Sequence, residues 1–160
     1  MLIATVEPKT LNLLLDSTDV TGGTARVSLQ SETGGQLECV AVGSSPAAVM
    51  TLKIGQPEDG FDVEDLTSRA KVTSRQVWGP PDPNNNNFPT VTYETRAVVS
   101  RWSTTWQNMG RTLTCVAGVL DLPDSSEAKL AEATLRSTDR KHLIIIIIML
   151  TYLHCAATPG

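Results

Sequence analysis

Metal-binding and catalytic chemistry is what this sequence has least material for. Its 160 residues include two histidines and three cysteines, with no C-x-x-C pair and no Cys/His spacing of the kind that holds zinc. No nucleophile elbow, phosphate-cradling glycine loop or helical metal motif occurs, so neither an enzyme nor a cofactor is expected. Charged residues are sparse, at 19%, and the net charge is −4. Lysines and arginines are scattered apart from a loose group at Arg136, Arg140 and Lys141, which argues against the clustered basic face that nucleic acid requires. Asn-x-Ser/Thr is absent, and no glycan on asparagine is expected. The opening residues, Met1 to Pro8, lack the charged start and long apolar stretch of a secretory signal.

Short apolar strands are what the chain has in quantity. Two of them carry a cysteine: Gln36-Leu37-Glu38-Cys39-Val40-Ala41 and Arg111-Thr112-Leu113-Thr114-Cys115-Val116-Ala117. Strand side chains alternate with period two, so Leu37 and Ala41 share the face of Cys39, and Leu113 and Ala117 that of Cys115. Two such faces meeting across a core would bring the thiols together as an inter-sheet disulfide, leaving Cys155 over. Three reduced thiols in an intracellular protein is the other reading.

Further strands are expected over 10–15, 25–29, 49–54, 68–77 and 90–102, the first two as edge strands around a turn cluster at 16–23. Residues 129–135 fit a last strand, although 127–136 fit a short amphipathic helix equally well on propensity. Gly79-Pro80-Pro81-Asp82-Pro83, followed by four asparagines, offers no periodic face, and 79–89 is read as an exposed loop. The acidic residues Asp59, Asp62, Glu64 and Asp65 lack the glycine and bidentate glutamate of a calcium loop and read as solvated. Seven or more short strands without a convincing helix predict an all-β sandwich.

Residues 137–160 are different material. The run 143–153 is almost continuous hydrocarbon, with five successive isoleucines, yet a bilayer-spanning helix takes about 20 apolar residues. Its positive charge lies on the N-terminal side, the reverse of what a receptor with an outer N-terminus requires. The tail is expected to be disordered, artefactual or a truncated membrane segment, with membrane association through 143–157 as one outcome.

Cys39-Val40-Ala41-Val42-Gly43-Ser44-Ser45-Pro46-Ala47-Ala48-Val49-Met50-Thr51-Leu52-Lys53-Ile54-Gly55 resembles the B-to-C region of immunoglobulin domains in adhesion receptors. Asn108-Met109-Gly110-Arg111-Thr112-Leu113-Thr114-Cys115-Val116-Ala117 resembles the matching E–F corner and F strand. By pattern the chain is similar to the constant-like domains of nectin, nephrin, sidestep and fasciclin III type proteins. Two aromatic positions of that pattern differ: Leu52, beside Met50, takes the place of the strand-C tryptophan, and Leu113 that of the tyrosine two residues before the second cysteine.

The resemblance implies an immunoglobulin-like antiparallel Greek-key sandwich over 1–136, its two sheets joined by a Cys39–Cys115 disulfide. It further implies an extracellular, cell-surface adhesion module whose partner is another protein's immunoglobulin-like domain, bound homophilically or heterophilically. A secreted recognition molecule and a non-binding spacer domain are the alternatives. An extracellular setting without a leader makes the chain an expected fragment of a longer protein. Trp102 is expected to fill the core, and Trp78 and Trp106, beside turns, are the candidate contact residues.

Overall fold

The computed structural model describes residues 5–55, 63–84, 86–119, 128–138 and a helix over 140–156, the side chains of that helix from Ile147 onward. Apolar residues at every second position commit the strands to two layers. One sheet runs β2 (Thr18–Asp19), β1 (Thr10–Leu15), β4 (Gly35–Ser44), β8 (Pro89–Trp102) and β7 (Lys71–Pro81). The other runs β3 (Thr24–Val27), β10 (Lys129–Ser137), β9 (Thr112–Gly118), β5 (Val49–Ile54) and β6 (Glu64–Asp65). The inner face of the first sheet carries Leu11, Leu13, Leu15, Leu37, Cys39, Ala41, Ala97 and Val99, all buried. Facing them are Ala25, Val27, Met50, Leu52, Ile54, Leu113, Cys115, Ala117, Ala131, Ala133 and Leu135 from the second. Because the alternation has period two, a register slip of one residue would turn each set outward.

Cys39 on β4 and Cys115 on β9 are bonded across this core, their Cα atoms 6.6 Å apart and both side chains fully buried. The chain passes from β4 to β5 between sheets, returns from β6 to β7, and crosses again from β8 to β9. That wiring, closed by an inter-sheet disulfide on the second and second-last long strands, is an immunoglobulin-like sandwich. Leu52, in the place of the usual tryptophan, stands directly opposite Cys115. Trp102, at the end of β8, is 1% exposed and supplies aromatic volume to the core from a different strand.

Three local expectations are corrected, and the choice between strand and helix at 129–135 is decided for the strand. The 25–29 strand is Thr24–Val27, and it pairs parallel with β10, so the sheets are not wholly antiparallel. Strand β1 is not an edge, because the two residues of β2 cover its outer side. Residues 129–135 are strand and not helix: Ala131, Ala133 and Leu135 are buried in alternation against β9. The Pro/Asn loop is shorter than 79–89, since β7 continues through Pro81 and β8 begins at Pro89. Proline is tolerated there because β7 is an edge strand whose outer amides have no ladder partner to lose among the described residues. Within the tail, Arg140–Ala156 is an α-helix, α1.

Candidate recognition surface

The β7–β8 hairpin is longer than the sheet that carries it. Strand β4 leaves β8 at the pair Ser44–Tyr93, whereas β7 stays paired with β8 out to Pro81–Pro89. Residues 77–81 and 89–92 therefore form a two-stranded arm that runs on past β4, with Trp78 opposite Val91. The turn at its tip is organised by Asp82. The Asp82 amide donates to the Phe88 carbonyl (3.0 Å), the Asp82 carbonyl accepts from the Asn87 amide (3.1 Å), and its side chain accepts from the Asn84 amide (2.9 Å). Asn86 and Asn87 take positive φ, the conformation their short polar side chains tolerate best. Gly79 has no Cβ for a physical reason: one placed there would lie 2.2 Å from the Thr90 hydroxyl. That hydroxyl is free to donate to the Pro80 carbonyl at 3.3 Å. Trp78 and Phe88 are left 65% and 63% exposed on this arm.

Polar networks root the arm on both faces of the sheet. On one, Arg75 clasps Glu94 with two bonds (Nε to Oε1 3.2 Å, Nη2 to Oε2 2.9 Å). Arg96 donates to the same carboxylate at 2.8 Å and reaches Glu38 on β4. The hydrogen bonds from Arg75 first, and then Arg96, hold the Glu94 carboxyl down at about 2. On the other face Ser74 and Thr95 share a hydroxyl bond of 3.0 Å, and Thr95 accepts from the Ala48 amide. Further along, Gln76 donates to the Tyr93 hydroxyl at 3.2 Å. Of these residues the sequence singled out Trp78 alone. The Glu94-x-Arg96 spacing on a strand is the signal by which the ladder was legible, since period two puts both on one face.

Trp106, 68% exposed, lies at the opposite end of the sandwich, in a single 3₁₀ turn (Trp106–Asn108) between β8 and β9. The structure thus separates the two tryptophans, and one contact footprint does not hold both. Two residues on, the side chain of Asn108 is buried and ties this connection to β6. Its amide donates to Glu64 (3.0 Å) and Thr104 (2.8 Å), and its oxygen accepts from Arg111 (3.0 Å). Of the acidic stretch, Asp59 and Asp62 lie outside the described residues. Glu64 serves Asn108 and lies 3.9 Å from Arg69, while hydrogen bonds from Thr67 hold the Asp65 carboxyl below the usual range. Among the described residues no three potential metal ligands converge.

No protein-family model matches the sequence, and no curated protein matches it. Among solved structures the chain is similar to a crystal structure of Rst D1-D2, at 16% identity and a TM-score of 0.49. That likeness covers 84% of this chain and 51% of the other, so the chain spans about half the length of the structure it matches.

Proposed function

We propose that this immunoglobulin-like domain is a cell-surface recognition module that binds another protein domain through the β7–β8 arm. The observation that carries the reading is the pair Trp78 and Phe88, large aromatic side chains held in solvent on a braced projection. A solitary exposed apolar residue is ordinary, whereas aromatics presented on a rigid element are the usual anchors of protein interfaces. A spacer domain has no use for such an arm. The disulfide-closed fold fits an oxidising, extracellular setting. The finer reading, by resemblance, is adhesion through a partner immunoglobulin-like domain, in the manner of nectin- and nephrin-type constant-like domains. Strand β6 and the parallel β3–β10 pair are additions to the seven-strand constant-type arrangement. Trp106 belongs to a separate contact at the other end.

Beads coated with the chain, mixed with each other and with cells, test this. Homophilic binding predicts bead–bead clusters, and heterophilic binding predicts capture by cells alone. In either case Trp78→Ala with Phe88→Ala is expected to weaken binding at least about thirtyfold, the loss of a hot-spot pair worth about 2 kcal/mol or more. Trp106→Ala is expected to leave that binding intact. Binding indifferent to the arm would move the footprint elsewhere, and beads inert in both assays would support the spacer.

A further inference from the structure

Helix α1 presents apolar side chains on every side. At about 100° per residue, Ile147, Ile148, Met149, Leu150, Thr151, Tyr152 and Leu153 go nearly twice round the axis. All of them are exposed, with Tyr152 at 80% and Leu153 at 68%, so the sandwich covers none of these faces. A helix that docks into a protein groove buries one stripe and keeps a polar back. A helix that is apolar all round needs an apolar solvent all round. Thr151, the polar residue inside the exposed run, already satisfies its hydroxyl within the helix: Oγ1 lies 2.7 Å from the Ile147 carbonyl and 2.9 Å from that of Ile148. This is how hydroxyl side chains are accommodated where no water is present. Between the sandwich and the apolar run the sequence places Arg140 and Lys141 after a single Asp139, with no acidic residue from 140 onward. That end suits an anionic surface.

From these observations we infer that α1 is a lipid-inserting element, entering a bilayer with anionic headgroups while the basic segment stays at the surface and the sandwich outside. No helix among the described residues is long and apolar enough to cross a membrane. Residues 143–153 reach about 16 Å at 1.5 Å per residue, close to half of a hydrocarbon layer about 30 Å thick. Insertion therefore takes the helix into one leaflet.

The test is flotation of the full chain with vesicles of phosphatidylcholine, alone and mixed with phosphatidylglycerol, at low and high salt. The chain is expected to float with both, more strongly with the anionic mixture, and to retain binding at high salt. Ile148→Asp with Leu150→Asp, both outside the sandwich, is expected to lower partitioning at least about a hundredfold, while a retained Cys39–Cys115 bridge in peptide mapping shows the domain folded. Binding abolished by salt would overturn insertion in favour of surface adsorption. A chain that stays at the bottom of the gradient as an oligomer, and becomes monomeric in the double variant, would overturn it in favour of helix–helix association between copies.

Discussion

Glu94 lies between two guanidinium groups, and this makes it the residue through which acid acts on the arm. Its carboxyl titrates at about 2 against an ordinary value of 4.5, so the folded state holds the proton less tightly than the unfolded one. The stability it contributes is present above pH 4.5 and is lost as pH falls toward 2. Arg75 is largely solvent-exposed, with 71% of its side chain accessible, and this limits the contribution to about 1 kcal/mol at most. Glu94→Gln is expected to lower the urea-derived stability by that amount at pH 6, with the gap from the parent chain closing by pH 2. A gap that persists at pH 2 would assign the loss to packing and not to charge. Asp65, whose carboxyl is also held low by Thr67, shifts both curves alike and leaves the difference to Glu94.

At the level of the element, the sheets differ in how they end. Strands β2 and β6 are two residues long and β3 is four, whereas β7, eleven residues long, presents an outer edge unpaired among the described residues. Such an edge is a template for another chain unless charge or proline blunts it. Lys71 and Arg75 lie along it, and Pro80 and Pro81 end it without amide donors. Pro80→Thr with Pro81→Thr extends the donor row to the tip. Sedimentation velocity is expected to show a larger self-associated fraction for this variant, and a profile unchanged at high concentration would give the prolines no protective role. The same strand explains where the sequence was hard to read. Every other residue of β1, β5, β9 and β10 meets the opposite sheet, and the period-two signal is plain. All of β7 is exposed or half-buried, so nothing imposes alternation on it. Its prolines and the asparagines beyond then resemble loop composition and conceal the arm. Residues 129–135 are ambiguous for another reason: Lys, Leu, Ala and Glu favour helix on propensity, and burial against β9 decides for strand.

For the molecule as a whole, the two halves of the sandwich are held by a core that mixes leucines with alanines and by one covalent link. Alanine fills seven buried positions of the core, Ala25, Ala41, Ala48, Ala97, Ala117, Ala131 and Ala133, each with far less apolar surface than a leucine. The two cysteine strands were legible from the flanking Leu and Ala residues, because the same period-two pattern that defines the face also aims the thiol. Which strand would carry the large aromatic was legible only in part, since nothing local to Trp102 indicates what faces it across the core. The bridge adds to this burial. Linking residues 76 apart in sequence removes chain entropy from the unfolded state equivalent to about 4.5 kcal/mol, a large part of the 5–15 kcal/mol typical of a domain. Cys39→Ala is accordingly expected to lower Tm by more than about 10 °C or to prevent folding, and Cys39→Ala with Cys115→Ala is expected to match it. Cys155→Ser, outside the sandwich, is expected to leave Tm unchanged. Reductant supplies the check that needs no substitution: it is expected to bring the parent chain down to the melting point of the double variant and to leave that variant unmoved. A Cys39→Ala chain that melts with the parent would mean that packing alone holds the sheets together.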